Sequence, residues 1–293
     1  MSNIKKAYIL ALIAVLFWST VGVAFKIALR YVDFFQLLFF AVIVAILCFF
    51  FIAFVQGKTK DLFNVSKKDL FYSAFIGFLN PYLYYVILLK AYTLLPAQLA
   101  QPLNYLWPAM LVLLSVPLLG QKLKLKSIIS VILGLIGVYI ISTRGVLFNQ
   151  HIEEPFGVIL AAGSSIIWAL SWIMNQKDKR DEQKKLFWAF IFGLLYICIT
   201  IIFFSEFKLP SIEGVYALVY VGLFETGITF FVWLKALHLT DRNDRISNLV
   251  FLSPFTALFF INLILGEKIF YTTYIGLVLI VLGIFVQQFK RRV

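Results

Sequence analysis

The chain repeats itself. Leu89-Lys90-Ala91 recurs as Leu234-Lys235-Ala236, Pro108 as Pro254, Gly120-Gln121-Lys122 as Gly266-Glu267-Lys268, Gly137 as Gly283 and Trp18 as Trp168, all at offsets of 145 to 150 residues. The repeated text is also too apolar for water. Hydrophobic residues make up 62% of the 293 positions and charged residues only 14%, against roughly 45–50% and 25% in soluble domains. Two copies of one helical unit, each unable to enclose a pathway alone, describe a transporter made of internal repeats. The expected division is 1–145 and 146–293.

Ten stretches are long enough to cross a hydrocarbon core as helices, which takes about 20 residues. They lie near 7–29, 34–55, 70–88, 96–118, 127–143, 156–176, 186–205, 214–234, 246–265 and 271–289. Each run is continuously apolar rather than alternating, so helices are expected and a barrel is not. With the N-terminus inside, the inner segments hold 20 Lys and Arg, among them Lys67, Lys68, Arg180, Lys185, Lys235, Arg242, Arg245, Lys290, Arg291 and Arg292. Five lie outside (Arg30, Lys90, Arg144, Lys208, Lys268) and Lys26 lies within a span. That bias puts both termini in the cytoplasm of a multi-pass protein of the inner or plasma membrane. Five helices per half is an odd number, so the second repeat must be inverted relative to the first.

The net charge of +12 is therefore topological. A nucleic-acid binder gathers its basic residues on one surface, whereas these sit between apolar runs. Lys5 and Lys6 before an apolar run resemble a signal peptide, yet the run is longer than a signal core and nine spans follow, so it reads as the first helix. Cys48 and Cys198 fall inside spans and read as core residues. No metal and no cofactor are expected.

Several residues inside the spans need a reason. The fourth span carries Gln98, Gln101 and Asn104 at i, i+3 spacings together with Pro102 and Pro108. A proline removes a donor and frees the carbonyl four residues earlier, giving a polar stripe on a distorted backbone. Such amides either line a cavity or tie helices together. In the sixth span Ser164, Trp168, Ser171 and Asn175 share one face, and Trp18, Ser19 and Gly22 form a thinner match in the first. Trp18 and Trp168 lie away from the interfaces where tryptophan usually collects, which suits either a central cavity or packing of the halves. Asn80 and Tyr84, with Pro81 and Tyr85 beside them, could bind an aromatic solute or bond to neighbouring helices.

Ionisable side chains within spans are costly and functional by default. Glu225, near the middle of the eighth span, could pair with a substrate amine, carry a proton, or be a structural acid. Lys26, about one turn from the outer end of the first, could snorkel to the headgroups or meet a carboxylate at the outer mouth.

These residues resemble the drug/metabolite transporter superfamily, and within it the EamA-repeat proteins. Each half has an early tryptophan helix (Phe17-Trp18-Ser19-Thr20 and Ile167-Trp168-Ala169), then a proline helix ending in Gly-Gln/Glu-Lys, then a glycine-bearing last helix. Asn104-Tyr105-Leu106-Trp107-Pro108, with Leu16-Phe17-Trp18-Ser19-Thr20 upstream, is similar to the aromatic amino-acid exporter branch. The resemblance spans the whole chain. It implies ten helices around a central cavity and export of aromatic or other neutral amino acids or similar small metabolites. Trp18, Asn104, Tyr105 and Trp107 carry over by motif, and Lys26 matches a basic position, while Glu225 departs from the pattern.

The partners expected are a small-molecule substrate and the bilayer, with the protein acting as a monomer. No ATP-binding signature is present, so a gradient must supply any driving force. A membrane enzyme fits poorly: His151 and His238 lie away from any nucleophile or metal-ligand cluster. An efflux pump for cationic drugs and an importer of the same fold are the alternatives.

Overall fold

The computed structural model is built of helices and describes residues 3–122, 124–146, 152, 154–239, 246 and 248–288. His151, Arg242, Arg245, Lys290, Arg291 and Arg292 lie outside the described residues. Among the described residues eight helices are long and apolar enough to cross a membrane: α1 (Asn3–Ala28), α2 (Phe34–Val55), α3 (Lys67–Leu94), α4 (Ala97–Leu119), α5 (Leu125–Ser142), α6 (Pro155–Lys177), α7 (Glu182–Phe204) and α8 (Ile212–Leu237). Two shorter apolar helices follow, α9 (Leu249–Leu265) and α10 (Tyr271–Val286). The ten helices fall where the ten apolar runs are, and no strand occurs among the described residues.

The helices outrun the apolar text. Hydropathy marks only the stretch in lipid, whereas the hydrogen-bonded helix runs past it at either end, so Lys67 and Lys68 at the start of α3, Lys90 near its end and Lys235 near the end of α8 are helical rather than in loops. Ser66 and Asp69 form a reciprocal capping box at the start of α3, and Asp33 Oδ1 accepts from the amides of Phe35 (2.8 Å) and Gln36 (3.0 Å) at the start of α2. Such caps satisfy donors that the first turn leaves open. The repeated Gly-Gln/Glu-Lys string has its cause at the other end. Gly120 (φ 64°) and Gly266 (φ 70°) take the left-handed conformation just past α4 and α9, where a side chain would be strained.

Among the described residues three spans are broken. In α4 the helix stops at Asn104 and resumes at Trp107; Pro108 cannot donate to the Asn104 carbonyl, and Tyr105 and Leu106 bond instead to Pro102 (3.1 Å) and Leu103 (3.3 Å). Pro102 and Pro108 predict this distortion. The other two breaks are single π-helical stretches, Phe78–Leu83 in α3 and Gly222–Gly227 in α8. Pro81 accounts for the first. The second carries no proline and is bounded by glycines.

The described chain forms two compact units. One is Met1–Val86 with Asp178–Leu265; the other is Ile87–Lys177 with Gly266–Val293. Each takes helices from both halves of the sequence, so the repeat divides the pattern of the chain and not its packing.

In the first unit each π-helical break lies on a neighbour through glycines. A Cβ on Gly77 would fall 2.2 Å from the Ala189 carbonyl oxygen of α7, and one on Gly193 of α7 would fall 2.6 Å from Pro81 Cγ. A Cβ on Gly222 would fall 2.5 Å from Val44 Cβ of α2, and one on Gly227 would meet Cys48 Sγ at 3.3 Å. Shifted by 145 positions, Gly77 becomes Gly222, Val44 becomes Ala189 and Cys48 becomes Gly193. The α3–α7 contact is thus the α8–α2 contact written a second time. Just before α7, Arg180 reaches Asp178 Oδ1 (Nε, 3.0 Å), the Asp69 carbonyl (3.0 Å) and Ser73 Oγ (2.9 Å). Arg180 and Lys185, counted above as inner charges, are built into the protein rather than solvated.

In the second unit α5 and α10 touch backbone to backbone. A Cβ on Gly276 would lie 2.5 Å from the Gly137 carbonyl oxygen, and one on Gly283 would lie 2.8 Å from that of Ser130. Small residues permit such an approach where lipid offers no hydrophobic drive to hold helices together. The repeated glycines Gly137 and Gly283 are both spent on this one helix pair.

Candidate functional site

The candidate residues divide between the units. Trp18, Lys26, Asn80, Tyr84 and Glu225 belong to the first, and Gln101, Asn104, Tyr105, Trp107, Trp168, Ser171 and Asn175 to the second.

In the first unit α1 runs along α8, and rings fill the seam. Trp18 meets Trp233 (centroids 5.4 Å) and stands edge-on to Phe230 (5.9 Å). Phe224 lies between Phe17 (4.4 Å) and Tyr220 (4.7 Å), and the Tyr220 hydroxyl shares a 2.6 Å hydrogen bond with Thr20. Ser19 is fully buried and donates to the carbonyls of Val15 and Ser253, a helix tie rather than a ligand group. Lys26 is partly buried in the last turn of α1.

The π-helical break of α3 holds Asn80 with extended backbone (φ −149°, ψ 119°) and a cis bond to Pro81. One turn later Tyr84 and Tyr85 are both buried, their rings 4.7 Å apart. Tyr85 crosses to α8, where its hydroxyl donates to Glu225 Oε1 at 2.9 Å. Glu225 sits inside the α8 break and is only partly buried. In the register set by Leu89-Lys90-Ala91 and Leu234-Lys235-Ala236, Asn80 and Glu225 are the same position of the repeat.

In the second unit the amides divide by role. Gln98 is a clamp: its Nε2 donates to the Lys268 carbonyl (2.9 Å), its Oε1 accepts from Phe270 N (2.9 Å), and the Glu267 carboxylate takes the amides of Ala97 (2.9 Å) and Gln98 (3.0 Å). Gln101 is buried. Asn104, at the α4 break, donates through Nδ2 to Ser164 Oγ of α6 at 2.8 Å. Ser164 and Ser171 turn their hydroxyls back to Ala161 and Trp168 of their own helix. Trp168 stacks on Trp172 (6.3 Å, 28°), and Tyr105 is buried. Trp107, partly buried at the restart of α4, touches no other ring among the described residues.

The Asn104–Ser164 bond joins the amide to a neighbouring helix, and a double-mutant cycle measures what it does. Asn104→Ala and Ser164→Ala are expected to couple by about 0.5–1.5 kcal/mol in thermal unfolding. Additive effects would mean that the bond is not what holds Asn104.

The reading from sequence set Tyr85 beside Asn80, Pro81 and Tyr84 and did not single out Tyr220, Phe230 or Trp233. The partnership of Tyr85 with Glu225 carried no local signal, because it forms only where α3 meets α8. The ring partners had none, because every span is rich in aromatics.

Comparison with known proteins follows the same lines. The EamA-like transporter family matches residues 5–143 and again 155–287. An uncharacterized transporter of Clostridium kluyveri is 25% identical over 287 residues, 95% of this chain and 92% of that protein. The uncharacterized transporter YoaV of Bacillus subtilis is 26% identical over 282 residues, 94% of each chain. The aromatic amino acid exporter YddG of Ancylobacter novellus is 25% identical over 151 residues, 51% of this chain and 53% of that one. A solved crystal structure shares the fold at a TM-score of 0.69 and 20% identity, covering 96% of both chains.

Proposed function

The chain belongs to the EamA-like transporter family, and from that premise we propose that it exports small metabolites, first among them aromatic or other neutral amino acids, across the plasma membrane. The observation that carries this reading is the α4 break, where Asn104, Tyr105 and Trp107 set an amide and rings on irregular backbone. A zwitterion with a ring needs that mixture: an apolar wall for the ring and a few polar groups in place of water at its ends. The match to an aromatic amino acid exporter over half the chain supports the same choice. The protein is read as a carrier rather than an enzyme, acting as a monomer.

Efflux from cells loaded with phenylalanine- or tyrosine-containing dipeptides tests the substrate. Cells making the protein should release the free amino acid faster, and should grow at higher concentrations of toxic aromatic analogues than cells carrying the empty vector. Equal release and equal tolerance would sink the reading. A second reading, efflux of organic cations, is favoured by Glu225, and a panel of quaternary ammonium compounds in the same growth assay separates the two.

Both termini are assigned to the cytoplasm on the basic bias. Single cysteines replacing Lys67 and Lys208 should react with a membrane-impermeant maleimide from opposite sides, Lys208→Cys in intact cells and Lys67→Cys only after lysis. Reaction of both in intact cells would overturn the topology.

A further inference from the structure

We infer that the carboxylate of Glu225, held by Tyr85 inside the α8 break, is a subsite for a positively charged nitrogen: an ammonium group carried by the transported molecule. The inference rests on the transporter reading above but not on the substrate being an amino acid.

Glu225 lies in the middle of a span, where an ionised carboxylate needs a counter-charge. Among the described residues its polar contacts reduce to one, the Tyr85 hydroxyl on Oε1. No Lys or Arg pairs with it there. One oxygen is therefore fixed by a neutral donor, and the partly exposed side chain leaves the other for a ligand. Tyr85 is itself 2% exposed and braced by Tyr84, so the donor is preorganised before anything binds.

The repeat supplies a control. Asn80 occupies the equivalent position in the α3 break, and Phe230 occupies that of Tyr85. A broken helix bedded on glycines is thus built in the first copy with a neutral amide in place of the acid, and the residue equivalent to Tyr85 has no hydroxyl. The second copy supplies the acid and the first its donor, and neither recurs at its equivalent position, so the pair forms once in the molecule, which is expected of a ligand group and not of a scaffold requirement.

Binding to the purified full chain at pH 7 tests this with three probes that share a ring: phenylalanine, phenylethylamine and 3-phenylpropionate. The amine should bind at least about tenfold more tightly than the acid, and Glu225→Gln should weaken the amine by about 10–100-fold while leaving 3-phenylpropionate unchanged. Glu225→Asp, which keeps the charge, should retain the preference for the amine and guards against a folding defect in the amide variant. Tyr85→Phe should weaken the amine by a smaller factor. Equal loss for all three probes in Glu225→Gln, or a parent protein that binds acid and amine alike, overturns the inference. So does a Glu225→Gln protein that binds the amine like the parent but no longer moves it uphill, a result that gives Glu225 to the proton. Glu225-dependent binding of phenylethylamine without export of phenylalanine leaves the subsite standing and removes the amino-acid reading.

Discussion

Gly77→Ala is expected to leave little folded protein in the membrane, and Gly163→Ala to be accepted at the level of the parent. Both are glycine-to-alanine changes inside apolar helices, so the intrinsic helix preference is the same and favours alanine by roughly 0.5–1 kcal/mol. The surroundings decide the outcome. The new methyl at Gly77 would sit 2.2 Å from the main-chain oxygen of Ala189, whereas nothing lies within 4 Å of one at Gly163. A flexible side chain could swing aside, but a carbonyl in the body of α7 moves only with its helix. Overpacking of a close-packed interior costs about 1–3 kcal/mol even where side chains can yield, and a clash with main chain falls at or above that range. Size-exclusion profiles and melting temperatures of the two variants in detergent would check this. Gly77→Ala protein eluting and melting like the parent would mean that α3 does not lie on α7 as described.

Trp107→Ala should cut transport at least about tenfold while leaving the amount of folded protein nearly unchanged. The expectation comes from the company the tryptophans keep. Trp18 and Trp168 are engaged with other rings, Trp233 and Phe230 for one and Trp172 for the other, so removing them damages packing and function together. Trp107 has no ring partner among the described residues and is only partly buried, which leaves a face for a substrate. Initial rates of export against substrate concentration, at matched expression, separate a raised KM from a lowered kcat. Parent-like kinetics in a well-expressed variant would reassign the α4 break to helix packing.

The ten helices were legible because the lipid requirement is written residue by residue: about 20 apolar positions, flanked by charge. The α4 break was legible for a related reason, since Pro108 deletes a specific donor. The break in α8 was not, because it depends on Gly222 and Gly227 being pressed against α2, a contact that no local pattern encodes. The amide stripe shows the limit from the other side. Gln98 and Asn104 have the same chemistry and the same spacing from a proline, yet Gln98 is taken up by Lys268 and Phe270 and Asn104 by Ser164. Which amide a neighbour will claim depends on distant residues. Glu225 could be singled out from sequence on cost alone, but its donor Tyr85 emerges only when α3 and α8 are brought together.

The carboxylate of Glu267 closes the first turn of α4 across 170 residues of chain. During synthesis, at about 5–20 residues per second, the N-terminus of α4 emerges roughly 8 to 35 seconds before its cap does. For that interval the amides of Ala97 and Gln98 must be held by water, headgroups or an insertion factor. The second unit therefore cannot be finished from the first half of the chain, and a ribosome stalled before Glu267 would hold α4 uncapped and without α10. Split at the loop after α5, the gene should yield two fragments that are unstable when made singly and that rescue each other when made together.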